Sequence, residues 1–272
     1  MDHIQTNTSD EALVASIRLN MCDFFRYLGK FLPESSFENH KFVRWHTPLP
    51  HPWFNGVLAT AVNDHDEGDN AFIEETIRYY RSRGVDVFTW WLEPPVTPSN
   101  WKQALSEHGF GFLDDTPGMA VDLQALDESP KMVDGLEVRV AADEESLRTW
   151  VKVFVQGYGL PPEWESPMHD LWLKLGPDLP MRNYLGYWHG EPVSNSTLFL
   201  GGGAAGIYCV ATLREARGKG IGAALTLQPL LEARDMGYRI GVLQSSEMGF
   251  NVYKRMGFRH LCQIENFYMS LK

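Results

Sequence analysis

Three glycines alternate in "ARGKGIGAAL", residues 216–225, directly before an apolar run that reads as a helix. Backbone that bare at a helix start suits a phosphate, because unpaired N–H groups and the positive end of the helix dipole meet there. Arg217 and Lys219 flank the glycines and add positive charge. A strand, a glycine loop and a helix, in that order, let backbone amides surround a pyrophosphate. Gly218, Gly220 and Ala223 also satisfy the dinucleotide fingerprint G-x-G-x-x-G/A on paper. That reading needs an acid at the tip of the next strand, and "RIGVLQS" ends in Gln244 and Ser245 instead. The Walker pattern fails for want of G-K-[ST]. A tight turn with no ligand is the remaining alternative.

The elements around this loop follow from periodicity and punctuation. Upstream, "LEVRVA" reads as a strand and "DEESLRTWVKVFVQGYG" as a helix capped by Asp143. "ESPMHDLWLKLG" reads as a second helix, and "RNYLGYWHG" and "EPVSNSTLFLGGG" as two strands joined by a Gly-containing turn. "AAGIYCVATL" is the strand before the loop. After it come the helix "AALTLQPLLEARDMG", the strand "RIGVLQS", the helix "MGFNVYKRMG" and the strand "HLCQIENFYMSL". The first half opens with a helix from about Ser9 to Phe31. Strands follow in "KFVRWHTPLP" and "FNGVLATAV", a helix in "DNAFIEETIRYYRSRG", a strand in "VDVFTWWL", a helix in "SNWKQALSEHG" and a strand in "GMAVDL". "DESPKMVDG", residues 127–135, has the composition of a linker. "YYRSRGVDVFTWW" followed by "ALSEHGF" parallels "LLEARDMGYRIGVLQ" followed by "VYKRMGF", which points to a tandem repeat of one fold.

Composition bounds the function classes. At 272 residues, 44% hydrophobic and 22% charged, the chain can build one large core or two ordinary ones. Residues 1–130 hold 9 basic and 20 acidic side chains, whereas residues 131–272 hold 15 of each. The net charge of −11 therefore belongs to the first half, which disfavours nucleic acid as a partner. Cys22, Cys209 and Cys262 are odd in number and far apart, so neither a disulfide framework nor a zinc spacing is expected, and no metal site. No stretch approaches the ~20 apolar residues of a membrane span. The start, "MDHIQTNTSDEALVASI", lacks the pattern of a signal peptide, so a cytoplasmic protein with no membrane attachment is expected.

Taken together, "CVATLREARGKGIGAAL", "VLQSS" and "NVYKRMGF" closely resemble the GNAT superfamily of acetyl-CoA-dependent N-acetyltransferases. The family's Arg/Gln-x-x-Gly-x-Gly/Ala loop is matched by Arg217, Gly218, Lys219, Gly220, Ile221 and Gly222. Its later helix, with a Tyr shortly before Gly-Phe, is matched by Tyr253, Gly257 and Phe258. The resemblance covers about 136–272. It implies an α+β fold, a mixed and mostly antiparallel sheet flanked by helices. The catalytic domain would be 131–272, preceded by a degenerate GNAT-like domain at 1–130.

The resemblance further implies acetyl-CoA as co-substrate. Its pantetheine arm would lie in a gap between two splayed strands, near backbone groups of Val210 and Thr212. Ser246 stands where family members often carry Asn. Tyr253 is the implied general acid for the departing thiolate, and a backbone N–H close to Val210 would polarise the carbonyl. The strand before the loop holds no carboxylate, so Glu247 and His189 are the candidate bases, beside a water relay or an acceptor that deprotonates in solution. Cys209, mid-strand among apolar neighbours, reads as inert core. The expected function is N-acetylation of a small primary amine or an amino acid derivative. The alternative is a non-catalytic acyl-CoA-binding relative. In the first half, "VNDHDEGDN" occupies the phosphate-loop position and would repel a pyrophosphate. One cofactor site per chain is therefore expected, with the first half packing, shaping the acceptor pocket or mediating a homodimer. Asp64, His65, Asp66, Glu67 and Asp69 in that run read as a solvated loop rather than a chelate.

Overall fold

The computed structural model describes residues 4–30, 36–38, 42–49, 51–59, 70–92, 99–128 and 133–272. Two compact units emerge. One comprises Met1–Met21 with Gly118–Leu261, the other Cys22–Pro117 with Cys262–Lys272. These differ from a division at residue 130. The helix α1 (Asp10–Lys30) and the strand β5 (Gly111–Asp122) each have residues in both units, and so does β11 (Arg259–Ser270).

The larger unit holds the helices α4 (Glu144–Tyr158), α5 (Glu165–Leu175), α6 (Ile221–Asp235) and α7 (Glu247–Arg255). Its strands are β6 (Leu136–Val140), β7 (Met181–Trp188), β8 (Glu191–Gly201), β9 (Ala204–Thr212) and β10 (Ile240–Gln244). They lie in the order β5-β10-β9-β8-β7-β6. Every pair is antiparallel except β9 with β10. The helices start and stop for local reasons. Asp143 accepts from the Ser146 N–H while the Ser146 hydroxyl accepts from the Asp143 N–H, a reciprocal cap on α4. α4 ends on Gly159 at φ +67°. Within α6, Pro229 has no N–H for the Leu225 carbonyl, and the Ser196 hydroxyl of β8 donates to that carbonyl at 2.6 Å instead. Leu198, Ile207, Ile221, Leu225, Leu243 and Phe258 belong to the core of this unit.

The smaller unit holds β1 (Ser36–Glu38), β2 (Phe42–Trp45), β3 (Gly56–Ala59) and β4 (Val87–Leu92), with α2 (Asn70–Ser82) and α3 (Ser99–Glu107). Its strand order is β1-β2-β3-β4-β11, antiparallel except for β3 with β4. The core is aromatic: Phe42 stacks on Phe72 at 4.2 Å, and Trp90 packs against Trp101 at 5.7 Å. Arg44 is buried beneath this layer, bonded to Glu75 and Thr76 and stacked 3.9 Å from the Tyr79 ring. The acidic run 62–69, with Asp64, His65, Asp66, Glu67 and Asp69, lies outside the described residues, and so does part of the 127–135 segment.

The repeat visible in sequence becomes a repeat in topology: β3-α2-β4-α3-β5 and β9-α6-β10-α7-β11. The last strand of each copy pairs with the penultimate strand of the other. Gly118–Asp122 run antiparallel to Ile240–Gln244, and Glu265–Ser270 run antiparallel to Val87–Leu92. The contiguous halves of the sequence are thus not the compact units, because each unit takes its final strand from the other half. Among the described residues no helix is long and apolar enough to cross a membrane.

Candidate active site

The glycine loop opens α6 as its spacing requires. Gly218 has φ +77° and Gly220, the residue before the helix, φ +84°, the left-handed region that glycine reaches without strain. The first helical bond runs from the Ala224 N–H to the Gly220 carbonyl, and no side chain among the described residues caps the helix. The amides of Ile221, Gly222 and Ala223 thus have no intrahelical acceptor. Ile221 itself is buried and anchors the turn, leaving only its backbone for a ligand. Gly222 is bare for another reason. Among the described residues a methyl there would meet nothing closer than the Thr212 hydroxyl at 3.5 Å, which leaves room above that amide.

Arg217, expected to add charge for a phosphate, also makes two bonds within the protein. Its Nε donates to the Thr212 carbonyl and its guanidinium to the Gly157 carbonyl, both at 2.9 Å. Gly157 lies in the last turn of α4, where carbonyls lack helical partners, and Arg217 fastens the loop to that turn. Lys219 is exposed, its ammonium 4.9 Å from the centre of the Trp188 ring.

The two strands flanking α6 part where the loop begins. β9 and β10 pair only from Ala205 with Gly241 to Ile207 with Leu243, while β9 continues to Thr212. Past that point β9 carries a bulge. Asn195 pairs with Ala211 and Thr197 with Tyr208, so Cys209 and Val210 together face Ser196. Cys209 adopts φ +54°, rare for a residue with a side chain. Burial pushes its thiol up to about 12, against a hydrogen bond from Thr197, so the thiol stays protonated near neutral pH. That agrees with an inert Cys209. The Val210 carbonyl accepts from the Tyr158 hydroxyl at 3.2 Å, and the Thr212 hydroxyl meets that of Ser194 at 2.9 Å.

Tyr253 points inward from α7 and is 9% exposed. Its ring lies over Gly249, where a methyl would stand 2.7 Å from the ring. Burial pushes the phenol up to about 12, and the Thr226 hydroxyl of α6 pulls the other way. Thr226 donates to the Gly222 carbonyl at 3.0 Å, in the first turn of the glycine helix.

The other sequence candidates are not gathered here. Ser246 is exposed, and its hydroxyl caps α7 by accepting from the Gly249 N–H at 3.3 Å. Glu247 is exposed in the first turn of that helix, on a different face from the inward Tyr253. His189 sits in the β7–β8 turn at φ +51°, its ring packed over Gly135. It faces a cleft of about 480 Å³ walled by Lys152, Trp188, Val193 and Leu213. Sequence reasoning missed Tyr158, Thr226 and Asn195. One signal was available, the run Ser194-Asn195-Ser196-Thr197, four fully buried polar residues in an otherwise apolar strand. Among the described residues no three metal-ligating side chains come together.

No protein-family model matches the chain, and neither does any curated protein. Solved structures do. The chain is similar to a GCN5-related N-acetyltransferase from Kribbella flavida, with 18% identity over 93% of this chain and 96% of that one and a TM-score of 0.67. It is similar to another from Sphaerobacter thermophilus, with 16% identity, 88% and 83% coverage and a TM-score of 0.65. Likeness at such identity shows the fold, and the fold is that of the GCN5-related N-acetyltransferases. The arrangement in two copies has its own counterpart: a tandem GNAT protein from the clavulanic acid biosynthesis pathway matches 98% of this chain and 97% of its own, at 13% identity and a TM-score of 0.58.

Proposed function

We propose that the chain is an acetyl-CoA-dependent N-acetyltransferase acting on a small primary amine or an amino acid derivative. One observation carries the reading: β9 and β10 part after Ile207 and Leu243 at the end where α6 presents its bare amides. Amides 218–222 would hold the pyrophosphate, with Lys219 adding charge and Arg217 fixing the loop. The pantetheine arm would follow the unpaired edge of β9 past Thr212 and Val210. The proposed site lies in the unit that contains α6.

The amine nitrogen attacks the thioester carbon. The C–N bond forms, the C–S bond breaks, and the charge gathering on the carbonyl oxygen meets the Val210 N–H. The departing thiolate takes the Tyr253 proton, and the surplus proton on nitrogen leaves through water. Tyr253 suits the acid role because burial keeps it protonated at neutral pH. Glu247 and His189 are both exposed, and the proposal assigns the amine proton to water rather than to either of them. The same observation is what favours a second reading, a relative that binds acyl-CoA without turnover.

Thiol release from acetyl-CoA with amines, polyamines, aminoglycosides and peptide N-termini separates the two. Turnover with one of them supports the enzyme, and tight binding with no turnover selects the binding protein. Gly220→Asp places a carboxylate where the pyrophosphate would rest. Calorimetry on this variant is expected to show no acetyl-CoA binding with the fold retained, and unchanged affinity would remove the site.

A further inference from the structure

The peptide joining Cys209 to Val210 carries the N–H that the proposed chemistry uses, and its carbonyl is gripped from the neighbouring strand. Asn195, fully buried in the middle of β8, donates from Nδ2 to the Cys209 oxygen at 2.8 Å. Only the amide nitrogen can face a carbonyl, so the orientation of the side chain is set by chemistry. The bond fills a break in the ladder, because the bulge leaves Cys209 and Val210 opposite the single residue Ser196. It also acts where the backbone is strained, at the φ of +54° that Cys209 adopts in place of the glycine such a position favours.

A trans peptide directs its C=O and N–H in opposite senses. With the Cys209 carbonyl drawn to the Asn195 side chain, the Val210 N–H is turned away from it, toward the side on which β10 has left β9. The geometry points to Asn195 as a positioning residue for the acyl group. By holding the Cys209 carbonyl, it fixes the flipped peptide whose N–H meets the thioester oxygen. This rests on the acetyltransferase reading above. The Asn195 Oδ1 has no partner among the described residues, so the bond from Nδ2 is what anchors the amide.

The test is infrared difference spectroscopy on the full chain with acetyl-CoA labelled with ¹³C at the acetyl carbonyl, together with steady-state kinetics. In the wild type the bound thioester C=O band is expected below its position in solution. Asn195→Leu, similar in size but without the donor, should bind acetyl-CoA with KM changed less than about twofold. Its band should return toward the solution position and kcat fall roughly tenfold or more, toward the loss seen when an oxyanion donor is removed. Asn195→Ser, too short to reach the Cys209 oxygen, gives the same comparison if the leucine variant loses its near-UV circular dichroism. A variant with the wild-type band and wild-type kcat overturns the role of Asn195 and leaves the acetyltransferase reading standing. Binding to the wild type without a band shift also overturns it. No acetyl-CoA binding by the wild type overturns the reading itself.

Discussion

The helix α2 leaves through Gly84 at φ +66°, and the N–H of Val85 returns to the Tyr80 carbonyl at 3.2 Å. α6 leaves through Gly237 at φ +94°, and Tyr238 returns to Ala233 at 3.0 Å. The short helices repeat the device. Phe110 bonds to Leu105 across Gly109 at 3.0 Å, and Phe258 bonds to Tyr253 across Gly257 at 3.1 Å. Leu105, fully buried, therefore stands at the turn position that holds the phenol in the other unit. The parallel strands differ most. β3 and β4 stay paired to their last described residues, Ala59 with Leu92, whereas β9 and β10 part after three pairs. Both copies keep what closes a helix onto a strand. Among the described residues, parted strands and a phenol at the turn occur in one copy, and these are the features on which the proposed chemistry rests.

Breaking the closed copy should cost stability without touching the site. Trp90 is fully buried against Phe42, Phe72, Trp101 and Phe110. Trp90→Ala should destabilise the chain by about 3–5 kcal/mol, the usual cost of removing a buried aromatic. Denaturant melts measure this, and acetyl-CoA affinity of the folded fraction is expected to stay the same. A matching loss of affinity would mean the two copies are not separable in this sense. Tyr253→Phe sharpens the contrast from the open copy. It keeps the ring on Gly249 and removes the proton, so kcat for thiol release should fall roughly 100-fold, or about 2.7 kcal/mol, with acetyl-CoA affinity unchanged. Full activity in that variant would remove the phenol from the mechanism.

How much of this was legible follows from which interactions are local. The cap at Asp143, the glycine ends of α4 and α6, and the left-handed positions 218 and 220 depend on a few neighbouring residues, and the sequence shows them. The helix that carries Tyr253 and its turn through Gly257 to Phe258 were legible for the same reason. The exchange of final strands was not. Alternation along "GMAVDL" marks a strand but says nothing of its partner, so a division at residue 130 was natural and cuts across both compact units. The bonds of Arg217 to Thr212 and Gly157 were not legible, because those acceptors come from β9 and a helix distant in sequence. The clamp at Asn195 depends on a register mismatch between β8 and β9, which exists only once the strands are paired.

The smallest effect separates the units by pH. His51 lies in the unit without the glycine loop, and its Nδ1 accepts from the Trp53 N–H at 3.2 Å, which requires the neutral ring. Burial lowers its pKa from 6.5 to about 4. The folded state therefore resists protonation that the unfolded chain accepts, so this contribution is complete above about pH 6.5 and is lost as the pH falls toward 4. Because the ring is partly exposed, screening should reduce the loss to about 1–2 kcal/mol. Hydrogen exchange of β3 and β4 amides between pH 6.5 and 4, corrected for intrinsic rates, should show this weakening. His51→Asn keeps an acceptor for the Trp53 N–H but does not titrate, and should flatten the dependence. Equal weakening in the variant would assign the pH response to other groups. Weakening of β9 and β10 in step with β3 and β4 would show instead that the two copies open as one.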